Sequence, residues 1–277
     1  VICDKAFLDS FKNDDSSIII PDGVLTIGKE AFYDCTGLDD IVIPDSVVEI
    51  GKSAFENCQY LTSIILSQNL IRICEYAFKY CIRLPFITLP NNVNKIGDGA
   101  FINCWEMTTI TIPGNVKSVG SNIFGGCRKL CSIVVDSNNR YYDSRNNCNA
   151  LIETSTNKLL KACASTVIPN GVVEIENSAF SGLSNFTSIS IPSSVTAIHS
   201  AAFNDCDGLT SIYIPSSVTV IDPNPFTNCD ALATIKVDAN NSRYDSRNDC
   251  NAIIEKTTNT LVSGCKNTVI PRGIKVI

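Results

Sequence analysis

The sequence predicts an α/β solenoid: one elongated stack of short coils, each supplying a β-strand and a single helical or 3₁₀ turn. Two observations predict it. Ile-Pro or Leu-Pro recurs every 23 residues, at Ile20-Pro21, Ile43-Pro44, Leu89-Pro90 and Ile112-Pro113, with Leu66-Ser67 in the one missing place; it returns at Ile168-Pro169, Ile191-Pro192, Ile214-Pro215 and Ile270-Pro271. Around each pair runs the frame Ile-Pro-x-x-Val-x-x-Ile-Gly-x-x-Ala-Phe-x-x-Cys-x-x-Leu. A fixed period of this length means that each repeat buries its apolar face only by stacking on its neighbours.

Within one repeat, Leu61-Thr62-Ser63-Ile64-Ile65-Leu66 reads as a short strand, with apolar positions first, fourth and sixth. Proline follows the strand because it has no N–H to give to the ladder. Val24 and Ile27 begin a second short extended piece. Gly28, Gly51, Gly97 and Gly120 then fall where a tight turn with positive φ is expected. Lys52–Cys58 is expected to make the helical or 3₁₀ turn, with Ala54, Phe55 and Cys58 inward. The repeat phenylalanines should form a spine, with coils about 4.7–5 Å apart.

Two steps of 56 residues break the period. Each contains a 33-residue insert, at 135–167 and 237–269, and the two inserts agree at 20 positions. Each reads as an Asn-rich turn followed by a β-hairpin: Asn149–Glu153, a polar loop, then Leu159–Lys161. Nothing resembles a linker, so residues 1–277 are expected to form a single domain.

Composition narrows the function. Net charge is −6 and no stretch gathers a basic footprint, which argues against nucleic-acid binding. No apolar run reaches the roughly 18 residues that cross a bilayer. The chain opens inside a repeat at Ala6-Phe7, so targeting and anchoring segments are expected elsewhere in a longer protein.

The repeat frame closely resembles the leucine-rich repeat of BspA-like bacterial surface proteins. The insert motif Val-Asp-x-Asn-Asn…Tyr-Asp-Ser-Arg-Asn-x-Cys-Asn-Ala resembles the longer unit that interrupts those arrays. The resemblance covers nearly the whole chain. It implies a right-handed leucine-rich-repeat superhelix, export to the cell surface, and adhesion to host matrix proteins or other cells. The family motif is structural and carries over no binding residue. Cys74, Glu176, His199 and Asp222 depart from it at the turn glycine, and Leu183 at the cysteine.

The 14 cysteines invite a disulfide or metal reading. Seven of them (Cys35, Cys58, Cys81, Cys104, Cys127, Cys206 and Cys229) follow the repeat phenylalanine by three residues and read as a buried stripe of small apolar groups. Cys127-x-x-x-Cys131 is the one pair at zinc-ligand spacing. Cys148/Cys163 and Cys250/Cys265 could face one another across the hairpins, a geometry that sometimes permits a disulfide. His199, the only histidine, occupies a turn position with no evident orienting carboxylate, which disfavours a Ser-His-Asp site. Asp14-Asp15 and Asp39-Asp40 read as solvated loop charges. Asp136-x-Asn138 and Asp245-x-x-x-Asp249 fail the calcium-loop spacing and read as turn formers. No catalytic, cofactor or metal residue is assigned.

Binding is expected on the outward strand positions, third and fifth in each strand. Most are Ser or Thr; the exceptions Val42, Ile65, Phe86, Val134, Tyr213 and Lys236 are the candidate partner-binding residues. Trp105, just after a repeat cysteine, is a further candidate anchor or a cover. The expectation is a non-enzymatic, monomeric, exported module for a protein or glycan partner. Its rivals are a passive spacer and a targeting module for an enzyme domain outside this chain.

Overall fold

The computed structural model describes residues 1–11 and 16–277; Asp14-Asp15 lies outside them. The chain divides into two compact units, Val1–Asp143 and Ser144–Ile277, each a stack of coils.

In the first unit, one ladder joins Ser16–Ile19, Leu38–Val42 and Ser63–Ile65 in parallel, and Thr109–Ile112 pairs with Ser132–Val135. Between these two pieces, residues 84–89 make a single bridge, Phe86 to Thr109. Pro85 lies there and has no N–H to give to a ladder. A second parallel ladder of two-residue strands runs through Thr26–Ile27, Glu49–Ile50, Arg72–Ile73, Lys95–Ile96 and Ser118–Val119. In the second unit the hairpin Ala150–Glu153/Lys158–Ala162 starts a ladder that continues in parallel through Glu174–Ile175, Ala197–Ile198 and Val220–Ile221. Ser211–Ile214 pairs with Thr234–Val237. The second hairpin joins Ala252–Glu255 to Thr260–Gly264.

The core follows from the alternation read in the sequence. Leu38, Ile41 and Ile43 are buried while Val42 is exposed, and the same holds for Ile110 and Ile112 against Thr111. The phenylalanine spine is present in both units. Ring centroids lie 5.0 Å apart for Phe32–Phe55, 5.4 Å for Phe55–Phe78 and 5.5 Å for Phe78–Phe101, with planes within 2°. In the second unit Phe180–Phe203 and Phe203–Phe226 stack at 4.9 and 5.4 Å. Offset stacking adds to the burial of each ring.

Two local expectations are corrected. The segment 52–58 is not helical. Ala54, Glu56 and Cys58 donate N–H to the carbonyls of Gly51, Ser53 and Phe55, while Ser53, Phe55 and Asn57 donate to Glu75, Ala77 and Lys79 of the next coil. Positive φ at Ser53 (53°) and Asn57 (66°) stops the turn from propagating as a helix. Among the described residues the helical ones are Arg145–Asn147 and Arg247–Asp249, both in the inserts. The observed class is therefore a β-solenoid, without the helical turn per coil expected of an α/β repeat.

Nor do Gly28, Gly51, Gly97 and Gly120 have positive φ. At these four positions glycine instead lets the coils approach closely. A Cβ on Gly51 would lie 2.8 Å from the carbonyl carbon of Gly28, and one on Gly120 would lie 2.3 Å from the nitrogen of Asp98.

Each insert also carries a buried polar plug. Asn139 donates its amide to the carbonyls of Pro113 and Val116 (2.8 and 3.0 Å) and accepts the N–H groups of Tyr141 and Tyr142 (both 2.9 Å). Asn241 makes the same set with Pro215, Val218, Arg243 and Tyr244. A side-chain amide has two donors and an acceptor oxygen, so this one is fully used.

Candidate functional site

The outward face of the first unit concentrates apolar side chains in its first coils. Ladder register places Ile19 beside Val42, and Val42 beside Ile65. Adjacent strands lie about 4.8 Å apart, so the three form a continuous row. They are 91%, 51% and 57% exposed, and Phe86 in the following coil is 59% exposed. Isolated apolar surface residues need no explanation, but a contiguous group invites one. Phe86 stands where the ladder is interrupted, at the rim of an open depression of about 320 Å³ that Thr88, Thr109 and Thr111 also line.

The structure therefore brings together Val42 and Ile65, with Phe86 one coil on. Val134 is exposed and in the same unit, but its ladder neighbour is Thr111 and Thr88 follows in that row, so it stands apart. Tyr213 and Lys236 belong to the second unit, where they pair directly. The Tyr213 hydroxyl donates to Asp238 at 2.7 Å, and this bond holds the phenol above and the carboxyl below their ordinary pKa ranges. Ile19 is the member that sequence reasoning missed. It precedes the first Ile-Pro pair, and its signal was the same fifth-position count carried one coil upstream. Trp105 is half-buried under the Arg128 guanidinium, 5.0 Å from its ring, and its indole N–H is buried without a hydrogen-bond acceptor.

Most of the repeat cysteines make the expected buried stripe. Cys58, Cys81, Cys104 and Cys127 each point Sγ at a phenylalanine carbonyl of the coil before, at 3.1 to 3.2 Å. Burial pushes the Cys35 and Cys74 thiols up to about 11, and holds those of Cys58, Cys81 and Cys104 well above the ordinary thiol range. Cys127 bonds the Phe101 carbonyl and Cys131 that of Thr108.

The hairpins explain why Cys163, Cys250 and Cys265 carry free thiols. A bulge at Leu151/Ile152 shifts the register, so Ala150 faces Ala162 while Ile152 faces Leu159. That one-residue slip sets Cys163 against Asn149, whose carbonyl accepts its thiol at 3.2 Å, rather than against Cys148. The second hairpin repeats the bulge, with Cys265 on the Asn251 carbonyl.

The turn formers behave as expected. Asp136 accepts the N–H of Asn138 at 2.8 Å, and Asp245 accepts the N–H of Arg247 at 3.2 Å as well as its guanidinium at 2.8 Å.

His199 departs from expectation, because two carboxylates orient it. Nδ1 lies 2.8 Å from Asp222 Oδ2 and Nε2 lies 2.9 Å from Glu174 Oε2. With both ring nitrogens engaged by carboxylates, neither can take a proton from a serine hydroxyl. Glu174, Glu176 and His199 bring ligand atoms within 4.8 Å of one another, a grouping that could hold a metal ion. The Lys158 ammonium already bridges the two glutamates at 2.8 and 2.9 Å, so the group closes on its own cation.

Comparison with known proteins places this geometry. The family model for the BspA type leucine rich repeat region matches in six copies, over residues 1–131, 49–153 and 152–260. Among solved structures, a leucine-rich repeat protein from Eubacterium ventriosum is similar with a TM-score of 0.72 and 27% identity. That match covers 80% of this chain and 60% of that one, so the chain spans less than two thirds of that relative. A leucine rich cell surface protein from Faecalibacterium prausnitzii is similar at TM-score 0.55 and 27% identity, over 86% of this chain and 82% of that one. The pneumococcal vaccine antigen PcpA shares the fold at TM-score 0.54 and 20% identity, over 81% of this chain and 72% of that one. The comparison with curated proteins finds no significant match.

Proposed function

The chain belongs to the BspA-type leucine-rich repeat family, and from that premise we propose that it is a non-enzymatic protein-binding module whose partner docks on the outward sheet face of the first unit. The observation that carries this reading is the row Ile19, Val42, Ile65 with Phe86 beside it. Apolar and aromatic groups on a rigid sheet cost little entropy to present, and such groups dominate the energy of protein interfaces. The surrounding Thr88, Thr109 and Thr111 supply the polar rim that such an interface needs.

The site of action in this reading is the outside of a cell. A structural relative described as a cell surface protein supports it. The partner class is a protein or glycan of the host matrix or of another cell, bound by a single copy of this chain. Val134, Tyr213 and Lys236 are secondary contacts at most, because they stand apart from the apolar row or lie in the other unit. The right-handed superhelix implied by the family belongs to the same proposal.

The spacer reading has one observation in its favour: Ser132, Ser188, Ser190, Ser211 and Thr234 make much of the remaining outward row small and polar. Binding of the 277-residue chain to an immobilised panel of matrix proteins, mucins and glycans separates the two readings. Saturable binding to a panel member supports the module. Absence of binding to the whole panel supports the spacer.

A further inference from the structure

The glycine that lets coils approach is replaced three times in succession, by Glu176, His199 and Asp222. The hydrogen bonds of the turn are kept: their N–H groups donate to Leu159, Ile175 and Ile198 at 3.0, 2.9 and 3.0 Å, as those of Gly51 and Gly97 do to Ile27 and Ile73. The replacements instead form a charged chain along three coils. Lys158, on the hairpin strand, bridges Glu174 and Glu176; Glu174 Oε2 also meets His199 Nε2; His199 Nδ1 meets Asp222.

We infer that His199 is a pH-sensitive clamp, a doubly protonated imidazolium that ties the coil carrying Glu174 to the coil carrying Asp222 and lets go when it loses a proton. The geometry requires the charge. An ionised carboxylate only accepts hydrogen bonds, so a ring nitrogen at 2.8 or 2.9 Å from one must carry hydrogen, and here both nitrogens are so placed. A neutral ring has a lone pair on one nitrogen. That lone pair would face a carboxylate oxygen at hydrogen-bond distance, and one of the two links would open.

The groups facing His199 are Glu174, Glu176 and Asp222, with the Lys158 ammonium beyond the two glutamates. Partial burial pulls the ring's proton affinity down, but the hydrogen bonds to Glu174 and Asp222 and the charge of Glu176 outweigh it and hold its pKa above the ordinary value. The sign follows. A basic group whose pKa is higher in the folded than in the unfolded chain stabilises fully below its unfolded pKa of about 6.5, and that contribution fades as pH rises through the folded value. The second unit is therefore held tightest in mildly acidic medium, below about pH 6.5, and loosens as pH rises through the folded value.

His199 is the only histidine, so its ring resonances in a long-range ¹H–¹⁵N spectrum need no assignment. Both nitrogens should report the imidazolium form at pH 6, with a titration midpoint above 6.5. A midpoint at or below 6.5, or a neutral tautomer at pH 6, overturns the inference. A thermal scan from pH 5.5 to 9 then compares the native chain with His199→Gln. The native chain should melt higher below the midpoint, with the advantage shrinking as pH rises through it; an advantage that does not change with pH contradicts the clamp. Asp222→Asn should lower the midpoint, and an unmoved midpoint counts against it.

Discussion

Val119 donates its N–H to the hydroxyl of Tyr142 at 3.1 Å. Val119 closes the ladder of two-residue strands in the first unit, so this donor has no following strand to meet. The second insert repeats the device: Ile221, at the end of its own ladder, donates to Tyr244 at 3.0 Å. Unpaired strand edges invite association with other chains, and the spacing Asn-Asn-x-x-Tyr, shared by the two inserts, supplies both the plug and the cap.

Removing these groups should therefore cost stability out of proportion to their size. Tyr142→Phe is expected to lose about 0.5–1.5 kcal/mol, since a partly buried donor loses its acceptor. Asn139→Ala is expected to lose about 2–4 kcal/mol, because several backbone groups are left unpaired at once. Urea unfolding followed by circular dichroism reads both; two silent substitutions would mean that neither the cap nor the plug holds the fold.

Glycines at two kinds of position should respond differently. Gly23 has φ of +90° and open space where a Cβ would stand, whereas a Cβ on Gly51 would collide with Gly28 and Ile27. Gly23→Asn should be nearly neutral, as asparagine tolerates positive φ. Gly51→Asn should cost about 1–3 kcal/mol by overpacking. Denaturant midpoints compare the two variants, and equal costs at the two sites would contradict the close-approach explanation.

The spine should behave as a continuous stack. Phe78 lies between Phe55 and Phe101 and is fully buried. Phe78→Ala is expected to lose about 3–5 kcal/mol, measured by the shift in the denaturation midpoint of the first unit. A loss below about 1 kcal/mol, far under the usual cost of emptying such a site, would mean the stack relaxes around the gap.

Thiol chemistry should sort the cysteines by burial. Cys3 is exposed, while Cys58, Cys81 and Cys104 are buried with their thiols pushed well above the ordinary range. Only the thiolate reacts, so iodoacetamide at mildly alkaline pH should label Cys3 in the native chain and the other three only after denaturation. Peptide mass spectrometry reads the order, and early labelling of Cys81 would contradict the buried stripe.

Much of this was legible in the sequence, because a repeat states each structural rule many times. The inward Leu38, Ile41 and Ile43, the phenylalanine spine and the cysteine stripe all follow from period and alternation alone. What escaped were features in which two physical causes leave the same residue. Gly51 reads identically whether it serves positive φ or close packing, and only the position of the preceding coil decides. Ala54-Phe55-x-x-Cys58 has helical spacing, yet with positive φ at Ser53 and Asn57 every second N–H, those of Ser53, Phe55 and Asn57, goes to the next coil. The thiol pairing failed on a single bulged residue, which no hairpin count reveals. His199 read as a stray turn residue because Glu174 and Asp222 stand 25 and 23 positions away. On the outward sheet face the alternation located Val42, Ile65 and Phe86, but which of them adjoin depends on ladder register.

Whether the row beside Phe86 is the docking face is decided by affinity. The triple variant Val42→Ser/Ile65→Ser/Phe86→Ser changes exposed side chains only, so it should fold with a melting temperature close to that of the native chain. Its dissociation constant for the partner found in the panel is measured by surface plasmon resonance beside a control, Leu25→Ser/Val48→Ser, which alters exposed apolar residues next to the second ladder. We expect at least about a 30-fold loss for the triple variant, the size of one interface hot spot, and an unchanged control. An unchanged triple variant, or an equal loss in the control, would contradict a docking site on this row.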